Sequence, residues 1–159
     1  MADELRCYRA MDGARFTLVC FPHAGGNATA FRDWPAYLPE DVAVYAVRYP
    51  GRLDRSHEPP ARAVGEITGP VARTLGEVPG RLVLFGHSMG AVLAHQVAVN
   101  LEAAYRFPAA LVVSGREAPH LTDRAPSLVI FSMATDSRAV DVGERVGRAL
   151  MGRSPACPK

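Results

Sequence analysis

A chain of 159 residues and 17.1 kDa has room for one domain, or most of one, around a core of ordinary size. With 48% hydrophobic and 21% charged residues it is not disordered, collagenous or a coiled coil as a whole. Its net charge of +2, from 18 basic and 16 acidic residues, is too small to point to nucleic acid as a partner.

The N-terminus carries Asp3 and Glu4 and no apolar leader, and no apolar run approaches the ~20 residues of a membrane span. Three cysteines, Cys7, Cys20 and Cys157, form no C-x-x-C pair, which disfavours a disulfide framework and a zinc site. The expectation is a cytoplasmic domain with no metal, no cofactor and no membrane contact.

In chain order, Phe16 to Phe21 reads as a β-strand closed by Pro22, Gly25 and Gly26. Ala28 to Leu38 has helical spacing in Phe31, Trp34 and Leu38, with Pro35 bending or delaying it. Val42 to Arg48 is a second strand, ended by Pro50-Gly51. A polar loop through Glu58-Pro59-Pro60 leads into a helix over Ala63 to Val78, weakened by Gly69 and Pro70. Arg81 to Phe85 is a third strand. Gly86 to Gly90 follows, then a long apolar helix to about Arg106 and a fourth strand from Ala109 to Ser114. Apolar strands alternating with helices predict a mostly parallel α/β sheet covered on both faces. Further on, Leu128 to Met133 reads as a fifth strand, Arg138 to Leu150 as a helix, and Gly152 to Lys159 as a frayed tail.

The strongest chemical signal is Gly86-His87-Ser88-Met89-Gly90, a G-x-S-x-G between an apolar strand and a helix. So tight a turn needs glycine at both flanks, and it forces Ser88 into a strained, exposed position at the carboxyl end of the sheet. The helix behind it points its N-terminus at the reacting centre, which favours developing negative charge. Alone, the pattern is also an ordinary glycine-rich β–α turn. A second signal follows the first strand, Phe21-Pro22-His23-Ala24-Gly25-Gly26. A serine elbow needs a second main-chain donor from such a loop to hold an oxyanion. Ala24 would supply it, and Met89, next to the serine, the first. His23 is expected to serve the loop rather than act as a base.

These segments, with AFRDW (Ala30 to Trp34), YPGR (Tyr49 to Arg52), FGHSMGA (Phe85 to Ala91) and SGREAP (Ser114 to Pro119), resemble type II thioesterases in the same order. Those are α/β-hydrolases that accompany nonribosomal peptide and polyketide synthases in antibiotic biosynthesis. The resemblance covers roughly residues 6 to 120. It implies hydrolysis of acyl thioesters from the phosphopantetheine arm of an acyl or peptidyl carrier protein. In it Ser88 matches the nucleophile, and Ala24 and Met89 the oxyanion donors.

The chain then departs from that pattern. Such hydrolases place serine, acid and histidine in that order, yet only His95 and His120 follow Ser88. His95 falls inside the elbow helix and is expected to pack there. His120 precedes Asp123, Asp136 and Asp141; the acids before it are Glu102, within the helix, and Glu117, too close in sequence to orient it. Asp136 is the better acid, because LVIFSMATD (Leu128 to Asp136) resembles the family's strand and acid turn, with Met133 where glycine is usual. The short span 115–126 leaves little room for a parallel crossover into that strand.

Two readings of 121–159 stand. One is an α/β-hydrolase with its lid absent and its last strands incomplete; the other is a divergent or frame-shifted segment. The division expected is 1–120, holding the oxyanion loop and elbow, and 121–159. The function expected is thioester hydrolysis, catalytically incomplete for want of a downstream histidine. The alternatives are a general serine esterase or acyltransferase and a non-enzymatic hydrolase fragment. His57, in a polar loop, is expected to face solvent.

Overall fold

The computed structural model describes residues 3–115, 129–131 and 141–146. Strands β1 (Leu5–Arg9), β2 (Phe16–Phe21), β3 (Val42–Val47), β4 (Arg81–His87), β5 (Ala110–Ser114) and β6 (Val129–Phe131) form one sheet in the order β1-β3-β2-β4-β5-β6. The inner strands β3, β2, β4 and β5 run parallel, while β1 and β6 pair antiparallel at the edges. Helices α1 (Val64–Glu77) and α2 (Met89–Ala103) are the β3–β4 and β4–β5 crossovers.

Alternation along each strand sends side chains to two cores. On one face Val19, Phe21, Leu82 and Leu84 meet Val71 and Leu75 of α1 and Leu93, Ala94, Val97, Ala98 and Leu101 of α2. On the other, Leu18, Cys20, Val44, Val83 and Phe85 meet Phe31, Trp34 and Leu38, together with Val142 and Val146 of a helical turn at 141–146. Phe85 is the hub there, with ring centroids 5.0 Å from Trp34 and 6.1 Å from Phe31. Aromatic contacts of that kind add about 0.5–1.5 kcal/mol each beyond the area they bury.

Strand order fixes where a ligand can sit. From β2 the chain moves to β3 on one side, and β4 then returns to the other side of β2. The connections leaving the carboxyl ends of β2 and β4 therefore diverge and open a crevice, the usual ligand position in such sheets. FPHAGG starts on the last residue of β2, and GHSMG on the last two residues of β4.

Several expectations are corrected. Residues 28–38 form two short 3₁₀ turns, Ala28–Phe31 and Trp34–Tyr37, instead of a helix. Asn27 caps the first by accepting from the Thr29 N–H at 2.9 Å, and Pro35 stands at the start of the second. The Arg9 guanidinium donates to the carbonyls of Pro35, Val42 and Pro39, holding the turns to the sheet. Strand β1 is an addition: of LRCYR only Leu5 is buried, so its apolar pattern is weak. The crossover expected before the fifth strand is not needed, because β6 pairs antiparallel with β5. Helix α1 continues through Pro70, held by burial of Thr68, Val71 and Leu75.

Candidate active site

Ser88 stands between the last residue of β4 and the first of α2, with φ 52° and ψ −114°. A φ on the left-handed side is one glycine takes readily; for serine it stores roughly 1–3 kcal/mol of strain. Surroundings hold it there. Its N–H donates to the Ser114 carbonyl at 2.9 Å, and its own carbonyl accepts from Ala91 at 3.0 Å. His87, half-buried, places Nδ1 3.2 Å from the Ser114 hydroxyl, tying the elbow a second time to the end of β5.

The two flanking glycines have distinct tasks. A Cβ on Gly86 would overlap the Gly90 carbonyl group, so the helix could not fold back over the strand. A Cβ on Gly90 would overlap the Phe21 carbonyl and come within 2.8 Å of the Pro22 carbonyl oxygen. The first turn of α2 thus lies directly on the end of β2, at the root of FPHAGG. The strand register agrees, pairing Phe21 with Gly86. The elbow and the loop are packed main chain to main chain.

Past Phe21 the chain turns at His23, whose carbonyl accepts from the Gly26 N–H at 3.0 Å. Ala24 is exposed at that turn, on the same end of the sheet as Ser88. Met89 is the first residue of α2, so its N–H is among those a helix leaves without a partner in its own ladder. An acyl oxygen beside Ser88 would lie in the field of that helix end. The His23 ring is exposed and sits edge-on to His87, with centroids 6.2 Å apart.

Two further residues belong to this assembly. The Tyr49 hydroxyl, buried, donates to the Pro22 carbonyl at 2.9 Å, and Arg52 donates to the Gly26 carbonyl at 2.8 Å. Burial pushes the Tyr49 phenol well above its ordinary range, with the Arg52 charge acting the other way, so it stays a proton donor. The YPGR segment was legible only as part of a resemblance; no local signal in it announces a contact with FPHAGG.

His95 is corrected: it faces solvent on α2, because Leu93, Ala94, Val97, Ala98 and Leu101 take the buried stripe. His57 is exposed, as expected. Asp136, Glu117, His120 and Asp123 lie outside the described residues. Among the described residues no three His, Cys, Asp or Glu side chains gather as metal ligands would. Nor is any described helix long and apolar enough to cross a membrane.

A serine elbow beside a main-chain loop, at the switch point of a parallel sheet covered on both faces, defines an α/β-hydrolase. Residues 16–128 match the family profile described as a thioesterase domain. The chain belongs to that family. It is 38% identical over 138 residues to the thioesterase PikA5 of Streptomyces venezuelae, covering 85% of this chain and 47% of that protein. A probable cadicidin biosynthesis thioesterase of Streptomyces griseus is 38% identical over 122 residues, 76% of this chain and 34% of that one. Among solved structures, the type II thioesterase BorB from the borrelidin biosynthetic cluster superposes with a TM-score of 0.67 at 41% identity, over 73% of this chain and 48% of its own. The chain thus spans half or less of the length of these relatives.

Proposed function

We propose that this chain carries the nucleophile and the oxyanion donors of a thioesterase acting on acyl groups held by the phosphopantetheine arm of an acyl or peptidyl carrier protein. Its role would be editing or release beside a multimodular synthase. The observation that supports this most is the strained Ser88, set against the FPHAGG loop at the switch point of the sheet. In this reading the Ser88 Oγ attacks the thioester carbonyl, and the Ala24 and Met89 N–H groups take the charge on its oxygen. The C–S bond breaks, the thiol leaves with the serine proton, and water then cleaves the acyl-serine ester.

Asp136 is the acid of this reading, and no histidine follows it in the 159 residues. Residues 1–120 then form the elbow-bearing part of the hydrolase domain, and 121–159 a divergent or truncated segment. The chain by itself is accordingly a slow catalyst. Loss of the histidine in a serine hydrolase costs about 10⁶ in kcat, while oxyanion binding still leaves ~10³–10⁴ over water.

The test is hydrolysis of an acyl-pantetheine thioester and the matching p-nitrophenyl ester by the folded chain and by Ser88→Ala. A slow, Ser88-dependent turnover favouring the thioester is expected. Equal specificity constants for the two would point to a general esterase. The missing histidine also favours a non-enzymatic fragment that at most binds a carrier. That second reading predicts carrier binding, no acyl-serine by mass spectrometry, and no effect of Ser88→Ala on either.

A further inference from the structure

We propose that Tyr49 and Arg52 are positioning residues that clamp the Pro22–Gly26 loop at its two ends and so set where the Ala24 N–H stands. This rests on the reading of Ala24 as an oxyanion donor.

The clamp follows from register. β2 and β3 run parallel, with Cys20 opposite Ala46, so the two chains leave the sheet at nearly the same level. Two residues past β3, Tyr49 lies within reach of Pro22, and its hydroxyl donates to that carbonyl at 2.9 Å. Arg52 then bridges to the far end of the loop, donating to the Gly26 carbonyl at 2.8 Å and to the His23 carbonyl at 3.4 Å. Its guanidinium lies 5.3 Å from the centroid of the Tyr49 ring, so the two clamp members also hold each other. Ala24 falls between the anchored carbonyls of His23 and Gly26.

The anchors are themselves braced. Gly51 N–H donates to the Arg55 carbonyl at 2.9 Å, and the Arg55 guanidinium donates to the Arg48 carbonyl at 2.8 Å. Arg55 also binds both oxygens of Glu58, at 2.5 and 2.6 Å. The stretch 48–58 is therefore a fixed support. An exposed loop with one internal hydrogen bond would otherwise sample many conformations, and an oxyanion donor acts only when it is already in place.

Residue-resolved amide exchange on the 159-residue chain reads the clamp without any turnover. The Gly26 N–H, bonded to the His23 carbonyl, reports whether the loop keeps its turn. In Tyr49→Phe and in Arg52→Gln its exchange is expected to rise about 5- to 10-fold, the worth of one hydrogen bond, beyond any rise at Leu18 and Leu84 in the central strands. Arg52→Lys, which keeps a donor, should recover part of the protection. A second arm follows phosphonylation of Ser88 by an alkyl p-nitrophenyl phosphonate, whose oxygen needs the same donors. It is expected to slow about 10-fold or more in the two clamp variants.

Gly26 exchange rising no more than that of Leu18 and Leu84 would overturn the clamp. A loosened loop with unchanged phosphonylation would overturn its positioning role. Failure of the Ser88 reading looks different. With no histidine after Asp136 the reaction is slow and is followed over long incubation. A rate no different from that of Ser88→Ala marks failure of the Ser88 reading, and the exchange comparison alone then decides the clamp.

Discussion

The strain at Ser88 can be measured by exchanging the residue twice. Ser88→Ala and Ser88→Gly both remove the hydroxyl, so its contacts cancel between them; they differ only in tolerance of φ 52°, ψ −114°. Alanine keeps the roughly 1–3 kcal/mol penalty of that conformation. Glycine escapes it, because the mirrored geometry is an ordinary extended one, but costs about 0.4–1 kcal/mol in unfolded-chain entropy. The glycine variant should therefore be the more stable by up to about 2.6 kcal/mol, with a central value of about 1.3 kcal/mol. With urea slopes of ~1–3 kcal/mol per molar for small domains, that is a midpoint higher by about 0.5 M. Urea titrations of the two proteins at equal concentration, followed by far-UV circular dichroism, give the difference directly if their slopes agree. An alanine variant more stable than the glycine one by the entropy difference, about 0.4–1 kcal/mol, would refute a strained elbow, and with it the claim that the surroundings impose the serine's geometry.

Other outcomes follow from the same geometry. Gly90→Ala should destabilise the fold by ~3 kcal/mol or more, because the neighbours of the new Cβ are the main-chain carbonyls of Phe21 and Pro22, which cannot rotate away. Gly65→Ala, with nothing within 4 Å in helix α1, should instead stabilise by about 0.5–1 kcal/mol; urea midpoints check both. Acid should weaken the 48–58 support. The Glu58 carboxyl is held below its ordinary range chiefly by its hydrogen bond to Arg55, and Asp54 is lowered because Arg48 outweighs the desolvation that acts to raise it. Carboxylates lowered on folding add stability above their ordinary values, near ~4, and lose it as pH falls through the lowered ones. The midpoint should drop between about pH 5 and pH 3, and by less in an Asp54→Asn, Glu58→Gln double variant.

Much of this was legible in the sequence where the signal is local. FTLVCF, VAVYAV and RLVLFGH are runs of β-formers buried nearly throughout, and each was readable as an inner strand. The elbow could be placed because glycine at 86 and 90 answers a steric demand within five residues. Edge strand β1 escaped, since only Leu5 is buried and Arg6 and Arg9 break the apolar pattern. The 28–38 stretch misled in another way. Phe31, Trp34 and Leu38 do face one core, but 3₁₀ turns present nearly the same spacing as a helix, and Asn27 and Pro35 decide for the turns. His95 was misplaced because α2 is apolar on most sides, so composition hid which stripe is buried. The contacts of Tyr49 and Arg52 with the FPHAGG loop span more than twenty residues and depend on strand register, which no window of sequence contains.

The close packing of Gly90 on the carbonyls of Phe21 and Pro22 carries a lesson for mutagenesis. Both proposed oxyanion donors are main-chain groups, and neither depends on its own side chain for its place. Replacing the side chains of Ala24 or Met89 leaves both N–H groups where they were. Alanine substitution at 24 and 89 themselves would therefore pass over this half of the centre, while Ser88→Ala would chart the nucleophile plainly. Sequence drift at position 89 changes a partly buried side chain packed against the core without moving a main-chain N–H. Drift at position 90 cannot do the same.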